Sequence, residues 1–376
     1  MYKISEIVAY QLKDIADVQT GPFGSQLHMS DYVKEGTPII TVEHFGENKL
    51  IHKNLPLVSL EDKKRLIKYT LKEGDIVFSR VGSVDRRAYI TDSEDGWMFS
   101  GRCLRVRPHK HKVNGKYLSY YFGQKSFKEY IKSVAVGATM PSINTDILST
   151  SEIILPPIKE QEAIAEVLSS LDDKIDLLHR NNKTLEQLAE ILFKQWFVID
   201  ISSDNNKGKL GQVINLNYGK ALKDEIRDGY KYPVIGSSGV VGFHSDFLVK
   251  GPGIVIGRKG TLGKVNLVYD NFFPIDTTYY VTSNIENSML FYEYFLLKEM
   301  SLGEHNCDSA VPGLNRDIAL SLEINLPDLD KVNMFNNAVQ PFFDKVHLNN
   351  MQINQLRKIR DSILPKLMSG QIIITV

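Results

Sequence analysis

Two stretches of this chain carry apolar residues in alternating steps of four and three. Beyond Pro156-Pro157, the positions Ile164, Leu168, Leu171, Ile175, Leu178, Asn182, Leu185, Ala189, Leu192 and Trp196 keep that spacing, and all but Asn182 are apolar. The same spacing links Phe335, Val339, Phe342, Val346, Asn349, Ile353, Leu356, Arg360, Ile363 and Leu367, with Asn349 and Arg360 the polar members. Such steps form the heptad seam of a coiled coil, because they keep one stripe turned toward a partner helix. Each seam predicts a helix on the order of 50 Å long, at about 1.5 Å per residue. A single amphipathic helix is ordinarily one wall of a globular core. Two equivalent seams in one chain favour mutual pairing, and both arrangements stay open.

Outside the seams the pattern shortens. Thr37 to Val42, Gly74 to Phe78, Gly253 to Ile256 and Leu322 to Ile324 read as short strands punctuated by Gly, Pro and Asn, while Tyr117 to Ser133 and Ser288 to Met300 read as helices. A strand-rich α+β domain therefore precedes each seam. Strand order is not contained in the pattern.

The two halves repeat each other. Pro141-Ser142-Ile143-Asn144-Thr145-Asp146-Ile147 returns as Pro312-Gly313-Leu314-Asn315-Arg316-Asp317-Ile318, 171 positions later (312 − 141). That displacement also carries Glu152 to Glu323, Leu155-Pro156 to Leu326-Pro327, Asp173-Lys174 to Asp344-Lys345, and the first seam onto the second. Upstream, Ile76 to Ser83 corresponds to Ile254 to Thr261 and Leu12 to Gly21 to Leu210 to Gly219, the displacement changing where loops differ in length. The expected architecture is α+β: two duplicated domains separated by two long helices that form an antiparallel coiled coil, a pseudo-twofold internal repeat. Its segments are 1–157, 158–198, 199–326 and 327–376. In an antiparallel symmetric pair, facing residues keep a constant index sum. The seam ends, Ile164 with Leu367 and Trp196 with Phe335, set it at 531, which places Asn182 opposite Asn349. A buried amide pair of that kind fixes register at some cost in stability; the plainer reading is a polar residue tolerated where the seam splays.

Composition narrows the class. With 376 residues, 43% hydrophobic and 24% charged, the chain is long enough for two or more domains with real cores. No stretch approaches the roughly 20 apolar residues of a membrane span, and the first residues do not read as a signal peptide, so the expected compartment is the cytoplasm. Cys103 and Cys307 are too few and too isolated for a disulfide framework or a thiolate zinc site, and each reads as a small packed hydrophobe. The formal net charge is zero, unfavourable to nonspecific DNA affinity, although residues 1–157 hold 22 Lys and Arg against 18 Asp and Glu. Any DNA binding then leans on more basic partners.

Catalytic chemistry is not found. The run Gly257 to Val265 suggests phosphate binding, but Arg258 stands where a P-loop needs its first glycine and no Ser or Thr follows Lys264. Leu155-Pro156-Pro157-Ile158 lacks the polar residue with which an adenine methyltransferase holds its target amine. The nine histidines have no paired metal-ligand spacing, with His109 and His111 flanking Lys110 on a basic loop. No metal and no cofactor are expected.

Thr20-Gly21-Pro22-Phe23-Gly24-Ser25, Gly74-Asp75-Ile76-Val77, Arg80 before Gly82-Ser83, Ala138-Thr139-Met140-Pro141-Ser142-Ile143, and Leu155-Pro156-Pro157-Ile158 followed by Glu160-Gln161 resemble the specificity subunits of Type I restriction-modification systems. The resemblance covers the full length, the second copy following it more loosely and replacing Glu160-Gln161 by Lys331-Val332. It implies two target-recognition domains held apart by antiparallel helices, each reading half of a split DNA sequence, with no catalysis of their own. It further implies two modification (methyltransferase) subunits as partners, and motor-nuclease subunits for cleavage. A one-heptad slip of the helices would then shift the readers by about 10 Å, roughly three base pairs. Candidate DNA-contacting cations are Lys63, Lys64, Arg65, Arg80, Arg86, Arg87, Arg102, Arg105, Arg107 and Lys110 in the first domain, and Lys220, Lys223, Arg258, Lys259 and Lys264 in the second. Arg80 and Arg258 recur at equivalent places, where each could deliver a guanidinium to DNA or simply pin its own loop. Two rival functions remain, a self-contained DNA-modifying or cutting enzyme and a coiled-coil scaffold without DNA contact.

Overall fold

The computed structural model describes residues 7–22, 24–199, 206–304 and 313–374, so that Phe23, Cys307 and Pro312 lie outside the described residues. The chain divides into two compact units, Met1–Ile175 with Asn354–Val376, and Asp176–Ile353.

In the first unit the strands are Val8–Gln11 (β1), Ala16–Thr20 (β2), Tyr32–Val33 (β3), Thr37–Ile40 (β4), Leu57–Val58 (β5), Ile76–Ser79 (β6), Arg87–Tyr89 (β7), Met98–Phe99 (β8), Cys103–Pro108 (β9) and Glu152–Leu155 (β10). They form an antiparallel sheet β2-β9-β6-β7, a smaller sheet β3-β5-β4-β8 in which β4 and β8 run parallel, and an antiparallel pair β1-β10 just before the long helix. In the second unit they are Lys207–Lys209 (β11), Ile214–Tyr218 (β12), Tyr232–Gly236 (β13), Gly239–His244 (β14), Gly253–Gly257 (β15), Val265–Val268 (β16), Phe273–Pro274 (β17), Thr278–Ser283 (β18) and Glu323–Asn325 (β19). Their order repeats the first: β12-β18-β15-β16, a parallel β13–β17 contact within β14-β13-β17, and the pair β11-β19. Every residue of the inner strands β6 and β15 is buried, which is why both read as unbroken apolar runs rather than as alternations.

The long helices are Ile158–Lys194, of 37 residues, and Leu329–Met368, of 40. Every predicted seam position is buried or half-buried, whereas Leu177, Leu188, Leu348 and Met351, off the seam, are exposed. Trp196 falls just past the first helix, in a π-helical turn at Gln195–Ile199. Both arrangements left open by the pattern occur. Toward the ends the seams are walls of the cores: Ile164, Leu168 and Leu367 pack with Leu12, Phe78 and Leu104 in the first unit, and Ala189, Phe335 and Val339 with Leu210, Ile254 and Tyr279 in the second. Toward the middle the helices meet each other. Within the second unit Asn349 Nδ2 donates to Asn182 Oδ1 at 2.7 Å, and the Trp196 and Phe335 rings lie 6.0 Å apart, so the helices run antiparallel there.

Local details depart from the pattern for physical reasons. The stretch predicted as one helix from Tyr117 to Ser133 is two, Gly115–Tyr121 and Lys125–Val134. They part at Gly123, where a Cβ would lie 2.1 Å from the Arg87 guanidinium. Ser288 to Met300 shortens to Phe291–Glu299, entered from Leu290 in the left-handed region at φ 67°. Cys103 is fully buried, and burial pushes its thiol up to about 12. Gln161 is also buried, its Oε1 accepting from the Asn114 amide at 3.0 Å and its Nε2 donating to the Pro156 carbonyl at 2.8 Å. It brackets the helix start to the domain, a task that the equivalent Val332, buried among apolar side chains, performs by packing.

Candidate nucleic-acid interface

One end of the larger sheet gathers cations in each unit. In the second unit β12 and β15 finish there while β16 and β18 begin, which brings Lys220, Arg258, Lys259 and Lys264 to the same end. Lys220, Lys259 and Lys264 are exposed and Arg258 half-buried. Lys264 Nζ donates to the Ser238 carbonyl at 2.6 Å. In the first unit Arg80 follows β6, Arg86 precedes β7 and Arg102 precedes β9, the corresponding end, with Arg86 and Arg102 exposed. Arg86 Nη2 donates to the Phe45 carbonyl.

The backbone that holds these loops is the same in both units. The Arg80 amide donates to Arg102 O at 2.8 Å, Ile143 N donates to Arg80 O at 3.0 Å, and Arg80 Nη1 donates to Gly101 O at 2.9 Å. In the second unit Arg258 N donates to Thr277 O, Leu314 N to Arg258 O, and Arg258 Nη1 to Asp276 O, each at 2.9 Å. Each arginine thus ties its loop to the strand opposite and to the repeated Asn-x-Asp-Ile segment. Asn144 and Asn315 of that segment cap the helices Thr145–Ser149 and Arg316–Ser321. Gly21 and Gly219 let the loops close: a Cβ would lie 2.2 Å from Ser100 O in one and 2.1 Å from Ile275 O in the other. Of the two roles left open for Arg80 and Arg258, loop pinning is present in the free chain. The glycine-rich run Gly257 to Lys264 is the loop from β15 to β16, with Gly260 and Gly263 at φ +79° and +68°, and no helix follows as a phosphate cradle requires.

Other predicted cations lie elsewhere. Lys63, Lys64 and Arg65 sit on the short helix Leu60–Arg65, where Arg65 Nη2 is bonded to Asp62 at 2.6 Å and to the Gln26 carbonyl at 2.9 Å. Lys110 is exposed at the opposite end of the sheet, beyond β9, and Lys223 is exposed three residues past Lys220. Three arginines face the protein itself. Arg87 is buried, its Nε donating to Ser119 O at 2.6 Å, and burial pushes its guanidinium down to about 10. Arg105, also buried, donates to Lys68 O, Thr70 O and Gln19 Oε1. Arg107 grips both oxygens of the buried Asp75 at 2.8 and 2.7 Å, and that carboxylate, outweighing partial burial, holds the guanidinium above its ordinary value. Burial of Arg87 and Arg105 and the two-point grip of Asp75 on Arg107 set these three apart from the cations at the strand ends. Tyr218 and Arg316, which the sequence reading passed over, stand at the cationic end beside Arg258. Their signal was the contrast between copies, Thr20 against Tyr218 and Thr145 against Arg316.

Among the described residues no group of three or more His, Cys, Asp or Glu is placed to hold a metal, and no helix is long and apolar enough to cross a membrane. The family model described as Type I restriction modification DNA specificity domain matches residues 4–187 and again residues 202–358. The chain belongs to this family. It is therefore a DNA specificity protein of Type I restriction-modification systems, with the family's domain present twice, once in each copy of the internal repeat. The specificity subunit of the MjaIX Type I restriction enzyme of Methanocaldococcus jannaschii is 29% identical over 305 residues, 70% of either chain. A putative MjaX specificity subunit of the same organism is 24% identical and covers 96% of this chain and 92% of its own. The crystal structure of a Type I system S subunit from M. genitalium has the same fold, with a TM-score of 0.63 at 19% identity over 98% of this chain and 97% of that one.

Proposed function

We propose that this chain carries no catalysis of its own and reads a split DNA sequence with its two recognition domains, residues 1–157 and 199–326, on spacer helices 158–198 and 327–376. Two modification subunits dock around it in the cytoplasm, and motor-nuclease subunits join for cleavage. The observation that carries this reading is the pair of cationic strand ends, Arg80, Arg86 and Arg102 in one unit and Lys220, Arg258, Lys259 and Lys264 in the other, built on one set of backbone hydrogen bonds. A split site needs two readers at fixed separation, and tying both into one chain makes the second encounter intramolecular. Adenine modification requires a base to leave the duplex, a task for the enzyme subunit that this one positions.

The test is a titration of labelled duplex with the full chain, alone and with modification subunits of a Type I system, across a range of salt. Sequence-selective binding that weakens steeply with salt is expected for the complex. Absence of DNA binding in both conditions would return the chain to a scaffold. Methyl transfer by the purified chain alone would overturn its non-catalytic role.

A further inference from the structure

At the cationic end of the second unit, two guanidiniums lie against the Tyr218 ring. Arg258 Cζ lies 5.0 Å from the Tyr218 ring centroid and Arg316 Cζ 5.4 Å from it, while Tyr279 meets the same ring edge-on at 5.0 Å. Three separate elements deliver them: Tyr218 ends β12, Arg258 follows β15, and Arg316 opens the helix capped by Asn315. Tyr218 remains 49% exposed, so the cluster faces solvent.

The two arginines are held differently. Arg258 donates Nη1 to the Asp276 carbonyl and belongs to the loop framework that both copies share. Arg316 donates Nε to Asp317 Oδ1 at 3.1 Å, and its Nη1 and Nη2 have no hydrogen-bond partner among the described residues. As a surface ion pair the contact with Asp317 adds little to stability. What it does is orient the guanidinium, as the tyrosine ring does through cation–π contact. The first copy has none of this, carrying Thr20, Leu104 and Thr145 where the second has Tyr218, Tyr279 and Arg316. An addition to a framework that both copies share, present in one copy and presenting two donors, is what a reader of one particular half-site requires.

We propose that Arg316 reads a guanine in the half-site recognised by the second domain, with Tyr218 and Asp317 as its positioning residues. Guanine shows two acceptors, O6 and N7, to the major groove, and a guanidinium whose Nη1 and Nη2 have no hydrogen-bond partner among the described residues matches them. The proposal rests on the two-reader function above. It is tested by selecting duplexes from a randomised pool with the full chain and its modification subunits, comparing the natural protein with Arg316→Ala, Arg316→Lys and Tyr218→Phe. The natural protein should select a split sequence containing guanine. Arg316→Ala should lose the preference for guanine at one position by roughly 10- to 100-fold, with the other half-site kept and thermal unfolding unchanged. Arg316→Lys should retain part of the preference, and Tyr218→Phe, which keeps the ring, nearly all of it. Selection of an unchanged sequence by Arg316→Ala, or an equal loss on every duplex, would overturn the assignment while leaving the two-reader function intact. Failure of the natural protein to select any sequence would overturn both.

Discussion

Both units seat the long helices on apolar cores, but at one matched place the contact is made by charge in the first unit and by aromatic rings in the second. Tyr120 donates its hydroxyl to Asp172 at 2.6 Å, Arg360 Nη1 donates to the same carboxylate at 2.7 Å, and Arg360 Nη2 reaches Glu47. The repeat places Phe295, Phe343 and Ala189 at the positions of Tyr120, Asp172 and Arg360. There Phe295 and Phe343 lie 5.8 Å apart, Phe291 stacks on Phe343 at 4.8 Å, and all of these side chains are buried. One backbone framework accepts either chemistry. The polar version has the more exacting geometry, because burial opposes the Arg360 charge and the Asp172 carboxylate must outweigh it, which leaves the guanidinium above its ordinary value. An ion network of this kind is fragile to the loss of one partner and tolerant of replacement as a whole, whereas an aromatic cluster loses stability with every ring removed.

The largest effect is expected from Phe343→Ala, about 3–5 kcal/mol of stability, read as faster hydrogen exchange confined to the second unit. Arg360→Ala should cost the first unit roughly 2–3 kcal/mol, reduced from a fully buried pair by solvent at its edge. The triple change Tyr120→Phe, Asp172→Phe and Arg360→Ala, which installs the second unit's set, should recover most of that loss. If the triple variant exchanges as fast as Arg360→Ala, the two contacts are not interchangeable.

Next comes the amide layer. Asn182 and Asn349 are 7% and 1% exposed, Asn182 Nδ2 also donates to Asn350 Oδ1 at 2.9 Å, and Asn349 Oδ1 has no hydrogen-bond partner among the described residues. Replacing both Asn182 and Asn349 with Leu should raise stability by about 1–2 kcal/mol while loosening the spacing accepted between half-sites. A stabilised protein with unchanged spacing would leave the amides no part in register. The smallest effect belongs to Glu47→Gln, below about 1 kcal/mol. Partial burial acts to raise the Glu47 carboxyl, but Arg360 outweighs it and holds the group below its ordinary value of 4.5. Its contribution is therefore present above that value and lost as pH falls below it, so the difference between Glu47→Gln and the natural protein should vanish in acid.

Much of this was legible in sequence. The repeat, the seam and the facing of Asn182 with Asn349 follow from periodicity and an index sum, because helix geometry is regular over long spans. Arg360 was one of two polar members of its seam, with Asn349, but its partner Asp172, on the other helix, is set by packing that periodicity does not describe. The cationic strand ends were half legible. Arg80 and Arg258 recur visibly, yet nothing in spacing tells that Arg87, Arg105 and Arg107 face inward, since β-strand alternation assigns faces only when the sheet's buried side is known. Gln161 was noticed for its replacement by Val332, and only the structure reveals a bracket between helix and domain.

The most direct measurement concerns independence of the two readers. Residues 1–150 are replaced by the matching region of a relative, and the methylated sequence in the host genome is read with the natural and the exchanged chain. One half of the recognised sequence should change while the other half and the methylated base stay as they were. A change in both halves together would contradict reading by two separate domains.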